Sequence, residues 1–266
     1  MEEDNDFDDL FCKLLTDYYC LYPLLPQINA AIILTNHMNE THFELRPEMR
    51  DELISQGIEK DNEQNGRMVL PSNVGETIYI LMNAKNILEY TKDGSMTWVG
   101  TFAHELTHAI DFHSIALKEN MNIYDPLLRA EFSMFQLWSE YHARRLGYNF
   151  LRTKMITNNI SQEEQINHII ETEMPRQIKL FFDAYHQTTN GNKQMYETMQ
   201  FLGRFSIWCD IFPNEFNYNT LKDYFWQNKW MLRLFYFLRE CGSLDLIYPR
   251  FDEMKKILES NWTFQE

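Results

Sequence analysis

The chain has 266 residues, 44% of them hydrophobic, enough to bury a sizeable core and too many for a disordered chain. Its net charge of −15 comes with no basic stripe, which argues against a protein that grips a phosphate backbone, so nucleic acid is not expected as a partner. The opening stretch MEEDNDFDDL is acidic where a secretory signal is basic, and no uninterrupted apolar run reaches the roughly eighteen residues of a membrane span. The expectation is a soluble, cytoplasmic protein with no membrane partner.

Residues 7–21 carry apolar side chains at helical spacing with acids at the front, where a helix dipole favours them, and Pro23 and Pro26 end that helix. Residues 29–34 form an apolar run too short for periodicity to separate helix from strand. A helix is predicted from Arg46 to Ile58, closing near Gly57, and a polar loop from Glu59 to Gly66. Arg67–Leu70 follows. Thr77–Met82, β-branched and aromatic between Gly75 and Asn83, reads as a strand.

The most informative stretch is Ser95 to His113. Asp93-Gly94 is a turn signal before it, Ser95 is a candidate N-cap, and no proline interrupts it. It contains His104, Glu105 and His108 in the pattern H-E-x-x-H. At about 100° per residue the two histidines share one helix face and can bind one metal ion through neutral imidazoles, while Glu105 flanks the ion. Trp98, Val99, Phe102, Leu106, Ala109, Ile110 and Phe112 give the helix an apolar surround. The competing reading is a buried helix with two hydrogen-bonded core histidines. Buried imidazoles and a carboxylate need partners, and a metal ion is one.

Beyond this helix, Asp125-Pro126 is a helix start, an N-cap followed by proline at the first helical position, and the helix is expected to run to about Gly147. Helical patterns fill Gln162–His186, Lys193–Ile211, Leu221–Cys241 and Leu244–Asn261, punctuated by Gly191, Pro213 and Gly242. Their many aromatic residues read as core, in a helical lobe closing one side of a cleft. Cys12, Cys20, Cys209 and Cys241 form no C-x-x-C pair and read as reduced core residues.

HELTHAID resembles the active helix of the zincin metallopeptidases, in particular the gluzincins, in which a glutamate on a later helix completes the zinc site. With ETIYILMN before it and WSEYHARRLG after it, the stretch Glu76–Tyr148 is most similar to small cytoplasmic metallopeptidases of the ImmA/IrrE type. The resemblance implies Zn²⁺ as cofactor, Glu105 as general base, a protein or peptide substrate such as a transcriptional repressor, and a cleft-lining role for the strand 77–82, whose edge would accept an extended substrate.

The third ligand has two candidates. Asp111 sits too far along the same helix to reach the ion and is suited to orienting a neighbour, and His113 falls on the opposite face. Projected as one helix from Leu127, Glu131 lies in the apolar arc of Leu127, Leu128, Phe135 and Trp138, so burial favours it. Glu140 lies on a side with Ser133, Ala143 and Gly147, small residues that permit close helix approach. The resemblance decides for Glu140, which with Ala143 matches the family's E-x-x-A, although Arg144 stands where thermolysin-like enzymes carry an acid. Tyr141, His142, Tyr148 and His186 are all chemically able to act as general acid or oxyanion stabiliser, with nothing in the sequence to choose among them.

The expected fold class is α+β and predominantly α, with a small β-sheet beside the H-E-x-x-H helix and a ligand helix. The expected organisation is a catalytic core over residues 1–153 and a helical lobe over 154–266, or one continuous domain. The expected function is a zinc metallopeptidase acting on an intracellular protein. The alternatives are a zinc hydrolase with a non-peptide substrate and a helical interaction protein with a vestigial site.

Overall fold

In a computed structural model, which describes residues 3–55, 64–155, 161–216, 222 and 229–259, the chain is predominantly helical with one three-stranded mixed sheet. It divides into two compact units: residues 1–128 with 150–154, and residues 129–149 with 155–266.

The first unit is built on the sheet. Strands β1 (Ala30–Thr35), β2 (Gly66–Val69) and β3 (Ile78–Asn83) lie in the order β1-β3-β2, with β1 parallel and β2 antiparallel to β3. The run 29–34, ambiguous in sequence, is therefore a strand. Alternation along β3 divides the core in two. Ile80 and Met82 face α5 (Thr97–Glu119) together with Trp98, Val99, Phe102 and Leu106. Tyr79 and Leu81 face α2 (Met38–Leu45) with Met38 and Val69. The N-terminal helix α1 (Glu3–Leu21) lies on α5: Phe11 meets Trp98 and Phe102 edge-on or tilted at 5.8 and 5.6 Å, and Tyr18 reaches Thr107.

Several boundaries differ from expectation for local reasons. The helix predicted over 46–58 is a 3-10 turn, Pro47–Met49, leading into α3 (Arg50–Ser55); its predicted end at Gly57 lies outside the described residues. Two helices gave no clear pattern: α2, and α4 (Ala84–Lys92), which Asn83 caps by accepting the Asn86 N–H at 3.2 Å. Helix α5 starts at Thr97 with Met96 at the cap position, while Ser95 Oγ still accepts the Thr97 N–H at 3.3 Å. It ends at Asn120, whose φ of 52° is a left-handed cap that asparagine tolerates.

The second unit is helical: α7 (Ser133–Met155, whose residues 150–154 belong to the first unit), α8 (Gln162–His168), a π-turn (Ile169–Glu173), α9 (Met174–Gln187), α10 (Gly191–Ile211) and α11 (Lys229–Glu240). Pro249 splits the last predicted helix into Leu244–Ile247, a 3-10 turn and α13 (Phe251–Glu259), with Leu244–Ile247 as α12. Its core is aromatic as expected. Phe181 stacks on Phe201 at 4.6 Å, and Phe205 meets Trp208 and Phe235 edge-on. The cysteines are all free, but only Cys209 and Cys241 are buried; Cys12 and Cys20 are exposed, correcting their reading as core.

Candidate metal centre

The residues predicted to carry the chemistry lie in the middle of α5, with Val99, Ala103, Leu106 and Ala109 fully buried around them. His104 is 7% exposed and His108 half-buried. Their imidazoles stand edge to face, ring centroids 4.5 Å apart, with the two Nε2 atoms separated by 3.1 Å. Two nitrogens each about 2.0–2.1 Å from one tetrahedral ion stand roughly 3.3 Å apart, so the pair already has the spacing of a chelate.

Glu140, on α7, is buried, and its carboxylate and the two imidazoles place one ligand atom each within 4.8 Å of one another. Two imidazoles and one carboxylate, buried together, form a group that can hold a metal ion.

The other candidate, Glu131, is not part of that group. The helix predicted from Asp125 stops after one turn, α6 (Asp125–Leu128), and a 3-10 turn, Ala130–Phe132, intervenes before α7 begins. A projection at constant pitch across that break gives false faces. Glu131 lies in the 3-10 turn, its side chain 68% exposed and paired with Arg129 at 3.6 Å.

Glu105 is half-buried, and its position is set by β2. Asn83 N donates to Asn65 O, so in the antiparallel register Arg67 and Val69 bond inward to β3 while Gly66 and Met68 turn their backbone groups away from it. The outward Met68 N–H donates to Glu105 Oε2 at 3.0 Å. This approach of strand to helix requires a glycine. A Cβ at Gly66 would stand 2.7 Å from Thr101 Cγ2 and 3.0 Å from Glu105 Cγ. The sequence signal existed, a glycine opening a short strand, which often marks a close backbone approach. The loop predicted over 59–66 concealed it.

β3 does not line a cleft with a free edge. It is the central strand, paired on both sides, and among the described residues the strand next to Glu105, β2, is an edge strand of the sheet. Behind the histidines, Thr107 donates to Ala103 O at 2.7 Å, leaving its oxygen to accept from the Tyr18 hydroxyl at 2.6 Å. Burial first, and the nearby Asp111 among smaller causes, holds the Tyr18 phenol well above its ordinary range, so it remains a neutral donor. Asp111 is itself buried, and His113 is half-buried with its pKa lowered by burial.

No protein-family model, curated protein or solved structure matches the chain. The four candidates for a general acid each have packing roles in the helical unit. Tyr141 is fully buried, and His142 stacks on Trp138 at 4.8 Å with planes 16° apart. Tyr148 accepts from Trp208 Nε1 at 3.3 Å, and His186 lies exposed against Phe182 at 5.9 Å. Among the described residues no helix is long and apolar enough to cross a membrane.

Proposed function

We propose that the protein is a zinc-dependent metallopeptidase that hydrolyses a peptide bond of an intracellular protein substrate, with His104, His108 and Glu140 as the metal ligands and Glu105 as the general base. The observation that carries the reading is the meeting of two imidazoles at chelating distance with a buried carboxylate from a separate helix, directly beside a glutamate anchored at one oxygen. Zinc bound by such a set supplies Lewis acidity, polarising a carbonyl and bringing the pKa of a coordinated water to about 7.

The residues divide the remaining work. Met68 N–H donates to Glu105 Oε2 and so orients the carboxylate, which would take a proton from the attacking water and pass it to the departing amine nitrogen. Among the described residues β2 is an edge strand, and the outward backbone groups of Gly66 lie near that carboxylate, where an extended peptide can add as a strand. This edge favours a polypeptide over a small non-peptide substrate.

The test combines metal analysis with cleavage profiling. Wild-type protein reconstituted with zinc should hold about one ion per chain, and His104→Ala or His108→Ala should abolish it. Glu105→Gln should retain the ion yet lose roughly 10² to 10⁴ in turnover. Wild-type protein that takes up no zinc defeats the metal site. Proteome-wide profiling in which wild type and Glu105→Gln leave identical peptide termini defeats the peptidase reading.

A further inference from the structure

Arg144 lies one helical turn beyond Glu140 on α7, and its side chain meets α10. Its NH2 donates to Gln200 Oε1 at 2.6 Å. Its Nε is shielded from solvent and meets no acceptor among the described residues. Beside it on α10 is Arg204, partly buried, whose NH1 donates to Gln177 Oε1 and whose guanidinium lies over the Tyr148 ring at 5.8 Å. Gln177 is itself buried. The helices are pressed together here: a Cβ at Gly203 would stand 2.6 Å from Tyr141 O and 3.0 Å from Arg144 Cβ.

Two guanidiniums are thus held side by side on neutral amide oxygens. The acid nearest in influence, Glu173, is bonded to a third arginine, Arg176, at 3.2 Å, so it does not balance the pair. Burial, and next the Arg144 charge, push Arg204 down to about 10, which is what an uncompensated neighbour does. The contrast lies one residue along α7: Arg145 and, from α11, Arg239 share Asp210 at 2.7 and 2.6 Å. In a chain with 39 acids against 24 basic residues, leaving a half-buried cation pair on glutamines is costly unless an anion joins it.

We propose that Arg144 and Arg204 form a binding site for a small oxyanion of the phosphate class, either inorganic phosphate or the phosphoryl group of a small metabolite. Planar guanidinium forks match such oxygens, and Gln177 and Gln200 can turn their amide N–H groups toward the same guest. The site is independent of the metal reading, since none of its four residues is a proposed ligand.

The test is calorimetric titration of the full chain with inorganic phosphate, after chelator treatment so that no metal competes, against sodium chloride at equal ionic strength. A phosphorylated small molecule such as glycerol phosphate is titrated in parallel, and tighter binding of it identifies the phosphoryl source. Wild type should bind with a dissociation constant of about 1 mM or tighter. Arg144→Gln and Arg204→Gln should each weaken binding at least tenfold, and Arg239→Gln, whose arginine has Asp210, should not. The decisive variant is Gln200→Glu, which supplies a built-in carboxylate at 2.6 Å and should abolish phosphate binding while raising the melting temperature in phosphate-free buffer. Wild type that binds phosphate and glycerol phosphate no better than chloride overturns the proposal, as does a Gln200→Glu chain that binds phosphate as tightly as wild type.

Discussion

Replacing Gly66 with alanine tests the coupling of sheet and helix without reference to any activity. The new methyl group would stand 2.7 Å from Thr101 Cγ2 and 3.0 Å from Glu105 Cγ, where carbon atoms prefer about 3.5–4.0 Å. Relief comes from β2 and α5 parting by about 1 Å, because a threonine in a helix has only two χ1 rotamers and little room to turn its methyl group clear. Such overpacking costs about 1–3 kcal/mol. At about 2–4 °C per kcal/mol for a chain of this size, a central estimate of ~2 kcal/mol lowers the melting temperature by about 4–8 °C. The same displacement lengthens the 3.0 Å bond from Met68 N–H to Glu105. Thr101→Ser removes the atom in closest conflict, so the double variant should recover most of the loss in a double-mutant cycle followed by thermal unfolding. A Gly66→Ala chain that melts with wild type, or a double variant whose losses simply add, would refute the close-approach argument.

Glu140→Ala should weaken zinc binding, measured by chelator competition, by more than the 10–100-fold typical of a lost supporting residue, whereas Glu131→Ala should leave it unchanged. Tyr18→Phe, which leaves the buried Thr107 oxygen without its donor, should cost about 1 kcal/mol in denaturant unfolding. His42 supplies a pH dependence. Burial first, then Arg67 and Arg46, lower its pKa from 6.5 to about 4, so the unfolded chain binds more protons between those values. Its stabilising contribution is complete above about pH 6.5 and is lost as pH falls through 4, up to about 3 kcal/mol from this group. Subtracting the stability curve of His42→Gln from that of wild type between pH 4 and 7 should isolate it.

The sequence was most legible where one residue pattern had one physical meaning. His104 and His108 had to share a face once their stretch was helical, and β3 was readable from its β-branched, aromatic run. Glu140 was not readable from burial, because the 3-10 turn at Ala130–Phe132 contradicts no propensity in its sequence and resets the helical phase. Strand order was hidden as well. β3 precedes α5 in the chain, but pairing with both β1 and β2 places it at the centre and leaves β2 as an edge strand among the described residues, a consequence of long-range pairing that no local pattern encodes. Gly66 and the Arg144–Arg204 pair belong to the same class, each visible as a residue but meaningful only through a partner tens of positions away.

The bond from Met68 N–H to Glu105 also gives the site a built-in spectroscopic label. A backbone amide donating to a carboxylate resonates downfield of one donating to water or to a neutral amide, and it exchanges slowly while that bond lasts. In an amide correlation spectrum the Met68 signal should therefore move when Glu105 becomes glutamine, when zinc enters beside it, and when a peptide takes the outer edge of β2. One nitrogen-15 resonance can follow occupancy of the centre before any substrate is known.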